Sequence, residues 1–168
     1  NMYELLPFWH AFFTNLGFQV VVSPFSNRKL YQAGQGSIPS DTVCFPAKLT
    51  HGHIMALLKK DVDAIFYPCM SYNVDEGLGD NHYNCPVVAY YPEVLAGNIR
   101  ELEDTKFIYE YLNLEQRKDF VRLMPKIMQK YYPDLKTSDI HNAIEVAYTA
   151  YRKHMEDTRN EAQRMMTE

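Results

Sequence analysis

Three cysteines, Cys44, Cys69 and Cys85, and a histidine pair, His51 and His53, are the residues of this chain best suited to hold a metal or attack a substrate. Cysteine thiolates are soft ligands for zinc and for iron–sulfur clusters. A thiolate beside a histidine base is also a nucleophile. The odd number of cysteines rules out complete disulfide pairing, and no two of them form a CxxC step. That usage points to a reducing, cytoplasmic compartment. His51 and His53 stand two residues apart, which turns them through about 200° on a helix. They cannot readily chelate one ion there, and this is not the i, i+4 pair of an HExxH site. Gly52 between them lowers helix propensity and suits the close approach of another backbone. His51 lies seven residues after Cys44, about 10 Å along a helix, too far for direct proton transfer. His10 and His82 could approach only through the fold. Lys48, one turn after Cys44, could offer positive charge to an anionic centre.

The elements that must position these side chains follow from periodicity. Leu5, Phe8, Trp9, Phe12, Phe13 and Leu16 have helical spacing over 4–16, ended by Gly17. The β-branched run 18–23 reads as a buried strand. A short helix is expected over 27–34 and a Gly-, Ser- and Pro-containing loop over 35–42. Pro46 suits a first helical turn, so a helix starts there and ends near Lys60. Residues 63–68 read as a second strand, 70–84 as a polar loop with Gly77-Leu78-Gly79, and 86–91 as a third strand. A helix over 114–131 with a kink at Pro125 and a long helix from Thr137 to about Met166 complete the chain. Alternating strands and helices imply a small, mostly parallel sheet in an α/β, Rossmann-like domain over 1–98, with a helical extension over 99–168. The opening Asn1-Met2-Tyr3 reads as an interior point of a longer chain, with a first strand lying before it.

On this layout Cys69 falls just past the carboxyl end of its strand, and Cys44 starts a helix that feeds the same strand. Both would meet at the carboxyl edge, where open α/β sheets bind ligands. The helix N-terminus there favours a thiolate. Cys85 precedes its strand and would start at the opposite edge, about 15 Å away. It joins the others only if that strand is antiparallel or the flanking loop folds across. The alternative is that all three thiols are small buried hydrophobes.

With 46% hydrophobic residues the chain is a folded one. Its 13 Tyr and 9 Phe suit a well-filled core or an interaction surface, and self-association stays open. A net charge of −4 with scattered basic residues offers no footprint for nucleic acid. No apolar run spans a bilayer. No GxGxxG, GxxxxGK[ST] or GxSxG occurs, so no nucleotide hydrolysis is expected from this chain.

The run PSDTVCFPAKLTHGHIMALLKKDVDAIFYPCM, followed by NCPVVAYYPEVL, resembles a domain of large CoA-enzyme activases that is related to 2-hydroxyacyl-CoA dehydratase subunits. The resemblance rests on Cys44-x-Pro46-x-Lys48, His51-Gly52-His53 and Pro68-Cys69 and covers roughly residues 1 to 98. It implies a Rossmann-like domain holding a [4Fe-4S] cluster through Cys44 and Cys69, with Cys85 as a third ligand and Lys48, His51 and His53 around them. It further implies ATP-driven electron transfer supplied by other domains of a larger activase or by a dehydratase-like partner. The alternatives are a docking module with buried cysteines and, third, a zinc site using Cys44, Cys69 and one of His51, His53 or His82.

Overall fold

The computed structural model describes residues 2–75, 77 and 79–167. The expectations attached to Asn1 and to Leu78 in the loop glycine pair therefore lie outside the described residues. The chain divides into two compact units, one joining Asn1–Val20 to Val121–Glu168, the other Val21–Phe120.

In the first unit, helix α1 (Met2–Asn15) lies against α6 (Thr137–Thr167). Leu5, Phe8, Trp9 and Phe12 of α1 are buried, as are Ile140, Ala143, Ile144, Ala147, Tyr148 and Tyr151 of α6. The rings of Phe8 and Tyr148 meet edge to face at 5.0 Å. Gly17 ends α1 as expected. Its φ of +87° lets the Phe18 N–H reach the Phe13 carbonyl and its own N–H reach Thr14. This closes the helix with a Schellman motif. Between the two halves of this unit in sequence, α5 (Arg117–Tyr131) runs through Pro125 and crosses the unit boundary.

The second unit holds α2 (Arg28–Gly34), a 3-10 turn (Gln35–Ser37), α3 (Phe45–Leu58), β1 (Ala64–Phe66), β2 (Cys69–Tyr72), α4 (Pro86–Asn98), a second 3-10 turn (Arg100–Leu102), β3 (Lys106–Ile108) and β4 (Tyr111–Asn113). β1 pairs parallel with β3 and β2 parallel with β4. The Tyr67 N–H donates to the Ile108 carbonyl and the Cys69 N–H to the Glu110 carbonyl, so pairing continues past Pro68, which has no N–H to give. The result is a two-strand parallel ribbon from 64 to 72, broken once.

The expected α/β class, parallel pairing and helical C-terminal portion are found. Three details differ. Residues 18–23 form no strand; Val21 and Val22 are exposed and have no ladder to join. Residues 86–91 are the start of helix α4, because the Cys85-Pro86 step opens a helix and Ala89, Tyr91, Pro92 and Leu95 then fall on one buried side. The helix continues through Pro92. Finally, 106–113 supplies two strands where none was expected. That return to β1 and β2 also puts the boundary expected at residue 98 inside the second unit.

α2 and α3 touch backbone to backbone. A Cβ on Gly52 would meet the Leu30 carbonyl oxygen, and one on Gly34 would meet the Gly52 nitrogen. The close approach expected of Gly52 is therefore real. Gly52→Ala must push two helices apart, at a cost of about 3 kcal/mol. A clear drop in the denaturant midpoint at unchanged slope is the expected outcome, with a smaller effect at Gly97, where a Cβ meets nothing.

Candidate functional site

α3 leads into β1, and α4 leads into β3, its parallel neighbour. Both helices therefore run back along the ribbon and start at its carboxyl edge. Each begins with a cysteine. Cys44 is the N-cap of α3 (φ −60°, ψ 150°) and Cys85 the N-cap of α4 (φ −60°, ψ 151°), each with proline in the first turn. Neither cap side chain bonds the helix N–H groups, and both thiols are exposed.

Cys85 reaches this edge by the route the loop allows. At the end of β2, Tyr72 bridges Tyr83 in antiparallel pairing. The Asn84 N–H donates to the Ser71 carbonyl at 2.8 Å and its amide to the Met70 carbonyl at 2.9 Å. With 86–91 helical, the objection that Cys85 starts at the opposite edge disappears.

Cys69 does not sit past the end of its strand, as the sequence suggested. Pairing resumes at Cys69↔Tyr111 and runs on to Tyr72, so Cys69 lies within the ribbon, under α4, with no exposed surface. Its sulfur accepts from the Glu93 backbone, eight residues into α4 from Cys85, or about 12 Å along that helix. Burial, with the nearby Glu93 carboxylate, pushes its thiol up to about 11. Tyr67, half-buried and beside Cys69 and Tyr91, is pushed up to about 12, chiefly by its burial.

The surrounding residues have partners of their own. Lys48 donates to the Asp41 carbonyl at 2.7 Å, with the Asp41 carboxylate at 3.9 Å. His51 is fully buried, bonded to Ser37 Oγ at 2.8 Å and to the Tyr91 hydroxyl at 2.9 Å. His53 points to the other side, bonded to Ser23 Oγ at 2.8 Å and Ser26 Oγ at 3.0 Å. Neither imidazole faces the other. His82 lies between Asp75 and Glu115, at 3.2 and 3.3 Å. Among the described residues no group of three or more His, Cys, Asp and Glu side chains is placed to hold a metal ion. A zinc site drawn from Cys44, Cys69 and a histidine is not assembled.

The donor set thus fits a metal group only in part. Cys44 and Cys85 present two accessible thiols at two helix N-termini on one edge. Cys69 is sealed away from that edge. The sequence put Cys85 at the opposite edge because it read 86–91 as a strand, and Cys69 past a strand end because it ended the one in 63–68 too soon.

Compared with known families, the whole chain, residues 1–168, matches the model of the CoA enzyme activase uncharacterised domain. The chain belongs to that family. No curated protein and no solved structure matches it. Family membership extends the likeness seen over 1–98 to the helical remainder. Among the described residues, no helix of this activase-family domain is long and apolar enough to cross a membrane. Exposed tyrosines line the outer side of α4. Tyr83 and Tyr90 share a hydrogen bond of 2.8 Å, Tyr90 meets the ring of Tyr111, and the Tyr111 hydroxyl donates to Glu93 at 2.6 Å. Tyr91, the buried neighbour on the same helix, and Ser37 were missed in the sequence because neither belongs to a motif.

Two outcomes follow from this geometry. In the folded protein a thiol reagent modifies Cys44 and Cys85 promptly and Cys69 only on unfolding, as peptide mapping by mass spectrometry checks. Burial also lowers the proton affinity of His51 and His53 below their usual 6.5. As pH falls through that value the unfolded chain takes up these protons first. The stability tied to the neutral imidazoles is therefore present above about 6.5 and lost below it. Unfolding curves from pH 7.5 to 5 should show that loss, and a His51→Gln/His53→Gln variant should show a shallower one.

Proposed function

We propose that this domain is the thiol-bearing redox module of an activase-related system, in which Cys44 and Cys85 together hold part of an iron–sulfur cluster. The observation that carries the reading is the matched pair of cysteine-capped helices opening at one edge of a parallel ribbon. Family membership supports the activase context. Two thiols are an incomplete set for a [4Fe-4S] cluster, so the remaining ligands come from another domain or subunit. When bound, such a group supplies one-electron transfer. The chain's own part is to present two soft donors and to direct the unbonded N–H groups of two first helical turns at the anionic centre they hold. Lys48 adds a cation one turn away. The electron comes from an ATP-driven domain and serves CoA-thioester chemistry, neither of which resides in these residues. Cys69 has no ligand role in this reading.

The experiment is anaerobic reconstitution with ferrous iron and sulfide, read by bound iron, by sulfide and by absorption near 400 nm. Cys44→Ala and Cys85→Ala should each remove most of the signal, and Cys69→Ala should leave it in place. Equal signal in all three variants would reject the assignment. The exposed Tyr83, Tyr90 and Tyr111 favour a second reading, a docking module without metal. No iron uptake by the wild type, with or without the rest of the parent chain, would leave that one standing.

A further inference from the structure

His51 is the one fully buried polar residue among the described residues. Its two ring nitrogens meet hydroxyls, Ser37 on one side and Tyr91 on the other, and neither meets a carboxylate. One assignment of the hydrogens serves all four groups. Ser37 has one hydroxyl proton, and it goes to the Gly34 carbonyl at 2.9 Å. Ser37 Oγ can then only accept from His51, so Nδ1 carries the ring proton. A neutral imidazole has one bare nitrogen. That nitrogen is Nε2, and the Tyr91 hydroxyl donates to it at 2.9 Å. The buried phenol is bonded directly to a base. Burial lowers the proton affinity of His51 and raises that of Tyr91, so the resting pair is a phenol against a neutral imidazole.

The packing that creates this chain of bonds is costly and specific. The glycine contact of Gly34 with Gly52 brings the end of α2 onto α3, and the turn that follows delivers Ser37 to His51. Tyr91 comes from α4, whose ring meets the His51 ring edge to face at 5.6 Å. Ser37 has a second role. It forms part of the wall of a cleft of about 340 Å³ together with Met55, Asn98 and Arg100. One end of the hydrogen-bond chain therefore opens to a space that admits water, and the other end is a phenol sealed between helices.

We propose that Ser37, His51 and Tyr91 form a proton relay from this cleft to the interior beneath the cysteine-bearing edge. In the outward direction the Tyr91 O–H bond breaks as an Nε2–H bond forms. As Ser37 Oγ takes the Nδ1 proton, its own hydroxyl proton breaks from the Gly34 carbonyl and is passed to water in the cleft. The reverse transfers restore the phenol, and no electron moves. Tyr91 is the acid–base group, His51 the carrier and Ser37 the gate to solvent. The relay stands apart from the iron–sulfur reading, since it needs no metal.

Solution NMR on the metal-free chain tests it. In ¹⁵N-histidine-labelled protein His51 should show the Nδ1–H tautomer. The Tyr91 hydroxyl and His51 ring protons should exchange with water through Ser37, so Ser37→Ala should slow that exchange by about tenfold or more, the worth of one hydrogen bond. Ser37→Thr keeps a hydroxyl and should restore it. A purely structural network predicts the opposite sign, because Ser37→Ala would loosen the site and speed exchange. An Nε2–H tautomer in the wild type, or exchange unchanged or faster in Ser37→Ala, overturns the relay. The tautomer is read on the wild type alone, so the test survives a variant that fails to fold.

Discussion

Parallel pairing of 64–72 with 106–113 is the constraint from which the second unit follows. Two parallel strands cannot be joined by a tight turn, so the chain between them must cross over, and α4 is that crossover. α3 precedes β1 and feeds it. Two helices then start on the carboxyl side of the ribbon, one capped by Cys44 and the other by Cys85. Proline in each first turn makes the starting points definite, because a ring without an N–H is tolerated there and resisted further in. Pro92 of α4 departs from this rule. It is buried with Tyr91 and Leu95, and the packing of that side outweighs the lost hydrogen bond.

The second organising contact is the glycine pair between α2 and α3. Helices normally stand apart by the length of their side chains. Here Gly34 and Gly52 remove them, and the backbones close up. Only at that separation can a serine in the turn after α2 reach a histidine on the inner side of α3. The buried histidine is then satisfied at both nitrogens, which burial of a polar ring requires. His53, two residues on, uses serines from the 21–27 segment in the same manner. The His-Gly-His step is thus a packing device with two differently bonded imidazoles, and it chelates nothing by itself.

The three thiols separate by their surroundings. Cys44 and Cys85 end in solvent at helix starts. Cys69 lies within the ribbon, and burial raises its thiol well above the usual range. Two thiols are reachable from solvent and the third is not. Membership of the CoA enzyme activase family sets the context in which such a pair is meaningful.

Much of this was legible in the residues. The helices over 4–16, 46–60 and 137–166, the α/β class and the parallel pairing follow from spacing, capping and proline, which act locally. The nature of Cys44 as a helix start, and the special role of Gly52, were also visible. What the sequence misjudged was local preference overruled by distant partners. Val87 and Val88 read as strand, yet the Cys85-Pro86 start and the buried side formed by Ala89, Tyr91 and Leu95 make them helix. Val20 to Val22 read as strand, yet no neighbour offers a ladder. The strands at 106–113 exist only because β1 and β2 receive them. Which cysteines share an edge, and which hydroxyls meet His51, depend on residues 14 and 40 positions away. No local rule carries that information, and only the packed chain decides it.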